Sequence, residues 1–191
     1  PIARGFGPIV VTIISIIFLG LTIHNLAIFS ILLICLGIMF VGVFDYDAFK
    51  NLNILKYSLL TGFFIGLYSL VDGYGARISL STVTYMSWSF VLSSLMFSIL
   101  LKIKKYKYVF KKIMNEGKQI FLIGGTLSYV IYIIVVWGFT QAPIPMVAAL
   151  RESSIFFSII IGYLFLKERI TSMKIISIIL IVTGVVGLKL V

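Results

Sequence analysis

Arg151 and Glu152 are the residues of this sequence best placed to do chemistry. They interrupt PIPMVAALRESSIFFSIIIGYLFLKERI, residues 143–170, a stretch otherwise apolar enough to cross a bilayer. An ionised side chain at the centre of a membrane helix costs about 2.5–3.5 kcal/mol on insertion scales, so it marks a functional position unless a partner explains it. Arg151 suits the anchoring of a carboxylate or other anion, and Glu152 the recognition of an amine or exchange of a proton. Neighbours on a helix point about 100° apart, so the two are expected not to pair with each other and to need separate partners. Arg4 is a third candidate, near the start of an apolar run. Tyr68 and Asp72 lie one turn apart on one face, and Asp72 and Arg77 flank the glycines of DGYGAR. Tyr129 and Tyr132 fall deep in another apolar run, where their hydroxyls need partners or line a cavity. These seven, Arg151, Glu152, Arg4, Tyr129, Tyr132, Tyr68 and Asp72, are the candidates for binding a substrate, with Arg77 as a gating alternative.

Enzyme chemistry is not expected. The sequence holds no HExxH, no G-x-S-x-G, no P-loop and no paired cysteines, and its one histidine and six acidic residues are too scattered for a metal cluster. No cofactor is expected, and the missing P-loop argues against coupling to ATP within this chain. His24 reads as a turn residue and Cys35 as a small apolar filler.

The elements that must position the charges are membrane helices. With 61% hydrophobic residues, 12% charged and a mean hydropathy of +1.18, the 191 residues cannot form an ordinary soluble domain. They hold about seven segments of roughly 20 residues, the length that crosses a hydrocarbon core of about 30 Å. The fold class is therefore an all-α integral membrane protein, placed in the cell (inner) membrane. Spans are expected near residues 6–21, 26–44, 55–71, 82–101, 120–139, 143–170 and 174–188. Asp45, Asp47, Lys50 and Asn51 read as a polar connection, and DGYGAR as an interfacial turn ending the third span. Gly62 and Gly66, four apart, allow another helix to approach closely. Trp88, Tyr85 and Trp137, near span ends, suit an aromatic belt.

The net charge of +10 comes from lysines gathered between spans, which meet lipid headgroups rather than nucleic acid. Residues 102–118 carry seven lysines, with Tyr106, Val109, Phe110 and Ile113 on one face, the pattern of an amphipathic helix lying on the membrane. Lys50, Lys56, these seven, Lys167, Arg169 and Lys174 fall on one side, which the positive-inside rule makes cytoplasmic, with Pro1 inside and Val191 outside. The chain opens at Pro1 within an apolar pattern, which suggests a fragment.

Shifting the sequence by 147 residues lays its first two spans over its last two, Arg4 on Arg151, Ser30 on Ser177 and Gly37 on Gly184, with apolar matches between. An odd number of spans separates the copies, so they enter the membrane from opposite sides. In transporters such inverted repeats hold the substrate near the midplane between them. Lys167, Glu168 and Arg169 of the second copy stand where the first has Gly20, Leu21 and Thr22. Glu152 stands where the first copy has Gly5.

APIPMVAALRESSIFFSIIIGYLFLKERIT followed by IISIILIVTGVVGL, with PIARGFGPIVVTIISIIFLG and YSLVDGYGAR, resembles the EamA-type drug/metabolite transporter superfamily. The resemblance implies two five-helix inverted repeats in ten spans and movement of small metabolites or other organic compounds. On that template the chain corresponds to helices four to ten. Residues 1–44 become the end of the first repeat, 45–54 a connection, and 55–191 the second repeat with the basic amphipathic segment 103–118. The sequence departs from the pattern at its first turn, GLT in place of a Gly-Glu motif, and the family orientation, both termini cytoplasmic, opposes the lysine count. The expected partners are membrane lipids, a small-molecule substrate and a second copy in a homodimer, with no nucleic acid. The expected function is secondary transport; the alternatives are a non-transporting membrane subunit, a degenerate fragment or a lipid-handling protein.

Overall fold

The computed structural model describes residues 1–46, 52–104, 109–168 and 171–191. Among these, every regular element is helical: α1 (Ile2–Ile17), α2 (Asn25–Tyr46), α3 (Leu52–Ile78), α4 (Thr82–Ile103), α5 (Val109–Glu116), α6 (Lys118–Gln141), α7 (Ile144–Glu152), α8 (Ser154–Leu166) and α9 (Ser172–Lys189). Five stretches are long and apolar enough to cross a membrane, namely α3, α4, α6, α7 joined to α8, and α9; α1 and α2 carry shorter apolar stretches. The molecule is a multi-pass integral membrane protein. Asp45 falls inside α2, while Asp47, Lys50, Asn51 and Tyr106 lie outside the described residues.

The chain divides into two compact units, one of Pro1–Asp72 with Ala142–Val191, the other Gly73–Gln141. The first is built on α2 against α9, with α1 packed on α2 and α7. A side chain added at Gly37 would meet Ile181 and the Ser177 carbonyl, and one at Gly184 would meet Ile34 and the Ser30 carbonyl. Residue numbers rise along α2 as they fall along α9, so the helices run antiparallel. Each contact maps onto the other under the 147-residue shift. Ser30 Oγ donates to the Leu26 carbonyl (2.7 Å) and Ser177 Oγ to that of Met173 (2.9 Å), again at matching positions.

The helix ends repeat as well. The non-glycine residue with positive φ among those described is Lys167 (54°), and the glycine with positive φ is its register mate Gly20 (58°). Past each, the backbone turns back on its helix: Leu21 N–H donates to the Ser15 carbonyl (3.1 Å) and Glu168 N–H to that of Gly162 (3.2 Å). At these positions the two copies share local structure and α2 packs antiparallel to α9, but α1 is continuous through Phe6, the register mate of Ser153, where the second copy is divided between α7 and α8.

Gly62 and Gly66 do what small-xxx-small spacing allows. A Cβ at Gly62 would lie 2.6 Å from the Ala3 carbonyl, and one at Gly66 would lie 2.8 Å from Val10 Cβ, so α1 crosses α3 at backbone distance.

Two expectations fail. DGYGAR is not a turn: α3 continues through it to Ile78. Gly73 and Gly75 each cost a helix about 1 kcal/mol relative to alanine, but Gly75 leaves room for the Tyr85 ring, which a side chain there would strike. Close packing outweighs propensity. The span over 143–170 is also not one helix, because α7 ends at Glu152 and α8 begins at Ser154. Ser153 Oγ donates to the Leu150 carbonyl (2.6 Å), as does its own N–H (3.2 Å), which tightens the chain at that point.

Candidate functional site

Glu152 ends α7, beside this break, and its side chain is only 7% exposed. A carboxylate that has left water needs a cation or several donors. It has two guanidiniums. Arg151 Nη2 is 2.7 Å from Glu152 Oε1, and Arg151 Nε–H donates to the same oxygen at 2.9 Å. Arg4 Nε, arriving from the first turn of α1, is 3.9 Å from Glu152 Oε2. Arg151 and Glu152 therefore do pair, contrary to the expectation from helical spacing. That expectation assumed a regular helix and fixed side-chain directions, whereas the helix ends here and arginine is long enough to fold back.

Arg151 is mostly buried (17% exposed) and Arg4 is not (55%). The Arg151 guanidinium lies over Tyr68 of α3, Cζ 6.0 Å from the ring centroid, at the outer limit for a cation–π contact. Asp72 is half-buried one turn further along α3. The register mate of Glu152 is Gly5, where a Cβ would lie 2.6 Å from Met39 Cγ and 2.9 Å from the Cys35 carbonyl. There is no room for a second carboxylate. Pro8 lies within α1 and lacks the N–H that would bond the Arg4 carbonyl.

A cavity of about 270 Å³ adjoins the cluster, lined by Pro1, Arg4, Val41, Ile155, Ser158, Ile159, Glu168 and Lys174. At its rim Lys174 Nζ pairs with Glu168 Oε2 at 3.5 Å. The register mates of Ile155, Ser158 and Ile159 are Pro8, Val11 and Thr12, all buried.

Tyr129 and Tyr132 belong to the second unit. The Tyr129 hydroxyl shares a hydrogen with Ser87 Oγ at 2.6 Å, which ties α6 to α4. Phe90 meets Tyr129 edge to face (centroids 5.0 Å) and Tyr132 at 6.3 Å. Arg77 Nε donates to the Phe139 carbonyl (2.8 Å) in the same unit. Ser87 and Phe90 were missed from sequence, since nothing in their local pattern announces a partner 42 residues away. Ser15 was missed too: its buried hydroxyl has no hydrogen-bond partner among the described residues. Those residues also contain no group of three metal-ligating side chains.

A multi-pass helical membrane protein with an arginine–glutamate cluster around a buried Glu152 is the class these features define. The sequence matches the EamA-like transporter family over residues 53–190, and the chain belongs to that family of transporters. The matched span includes six of the candidate residues and leaves Arg4 outside. Comparison with curated proteins gives no match.

Proposed function

We propose that the chain serves secondary transport of small organic metabolites, bound at the Arg4–Glu152–Arg151 cluster and exposed alternately to the two sides of the membrane. The observation that carries this reading is the buried Glu152 carboxylate held between arginines that occupy the same position in two antiparallel copies of one unit. Charge at that place is costly and does little for stability. It suits recognition: a guanidinium offers paired donors to a substrate carboxylate, and Glu152 an acceptor to an amine, with Tyr68 packed against Arg151. A compound carrying both groups, such as an amino acid, would exchange partners with the ion pair without leaving either charge unpaired.

Purified protein in liposomes, assayed with radiolabelled L-amino acids and small carboxylates, tests this. Saturable uptake above that of protein-free liposomes is expected for at least one, falling about tenfold or more in Glu152→Gln. Uptake unchanged in that variant, at equal incorporation, would remove the site.

A further inference from the structure

The three groups of the cluster are not equivalent. Arg4 and Arg151 are register mates, one from each copy, yet Glu152 has no mate, and packing around Gly5 forbids one. Both carboxylate oxygens are assigned: Oε1 is held by Arg151 at 2.7 and 2.9 Å, while Oε2 faces Arg4 at 3.9 Å. The carboxylate is thus hydrogen-bonded to Arg151 through Oε1, while Oε2 is turned to Arg4 at ion-pair distance beyond a hydrogen bond. It is attached at the last residue of α7, next to Ser153, where the regular helical bonding gives way to the bonds of the Ser153 N–H and Oγ with the Leu150 carbonyl. The two sides of the internal dyad also differ. Ser158 is exposed on the cavity, whereas its mate Val11 is packed to 1% exposure.

We infer that Glu152 is a toggle, paired with Arg151 in the observed state and with Arg4 in the opposite one, so that the choice of arginine sets which copy is open. This rests on the transport reading and adds to it a role for Arg4 as the alternative partner of Glu152. The physical basis is that a buried carboxylate cannot be left alone. With one carboxylate between two register-mate cations, tight pairing with either one satisfies it, and the observed geometry, tight to Arg151 and loose to Arg4, is one of those two arrangements.

Thiol labelling reads the two states without any substrate. In a Cys35→Ala background, Ser158→Cys and Val11→Cys are reporters for the two sides, labelled with a small cationic methanethiosulfonate in liposomes. Arg4→Gln leaves Glu152 only Arg151, so S158C should label as fast as in the parent or faster and V11C more slowly. Arg151→Gln hands the carboxylate to Arg4, so S158C should slow and V11C quicken, each by about threefold or more. Arg151→Lys, which keeps the charge but loses the fork, should shift both in the same sense by less. Adding Glu152→Gln should erase the difference between the arginine variants. Shifts in the same direction for both arginines, or opposed shifts that persist without the carboxylate, would overturn the toggle. Flux without opposed shifts would sink the toggle and leave the transport reading, while opposed shifts without flux would do the reverse.

Discussion

Lys167 shows how far the repeat reaches into single residues. It adopts the left-handed conformation that its mate Gly20 adopts without penalty, and for an L-residue that conformation costs roughly 1–2 kcal/mol. Lys167→Gly should therefore stabilise the protein by about 0.5–1 kcal/mol, net of the extra backbone entropy glycine loses on folding. Gly20→Lys should destabilise it by a similar amount. Thermal unfolding in detergent measures both, and equal effects of one sign would contradict the assignment. The candidate residues themselves were legible because charge in an apolar run stands out. Their pairing was not: the contact of Arg151 with Glu152 depends on a helix end at Ser153, and nothing before the fold is known says that a serine hydroxyl will turn back to the Leu150 carbonyl.

At the scale of elements, spans could be read from hydropathy, since length and apolar content alone define them, but their ends could not. DGYGAR has turn composition, and only the Tyr85 ring beside Gly75 explains why α3 runs on to Ile78. The α2–α9 pair carries the sharpest expectation here. Because Gly37 and Gly184 make reciprocal contacts, Gly37→Val and Gly184→Val should each destabilise by about 1–3 kcal/mol, through overpacking against a partner helix. Gly124 of α6 has nothing within 4 Å of a would-be Cβ, so Gly124→Val should leave the unfolding midpoint nearly unchanged. Strongly unequal effects at the first two positions would argue against the internal dyad.

At the scale of the whole molecule, the class of protein was legible from composition, and the gapless register pointed to particular matches, the reciprocal contacts of Gly37 and Gly184 and the helix ends at Gly20 and Lys167. The charges between spans make an orientation prediction: seven lysines in residues 102–118 should hold that segment in the cytoplasm. Alkaline phosphatase fused after Lys104 should be inactive, and an active fusion would reverse the orientation. The central claim is that this chain carries a solute by alternating between two states, and counterflow tests it most directly. Liposomes containing the protein are loaded with an unlabelled compound found to be taken up, then given a trace of the same compound labelled outside. A carrier accumulates label transiently above equilibrium because the internal compound returns the site to the outer face, and Glu152→Gln should abolish that overshoot. Label that only equilibrates, with or without compound inside, would contradict the account.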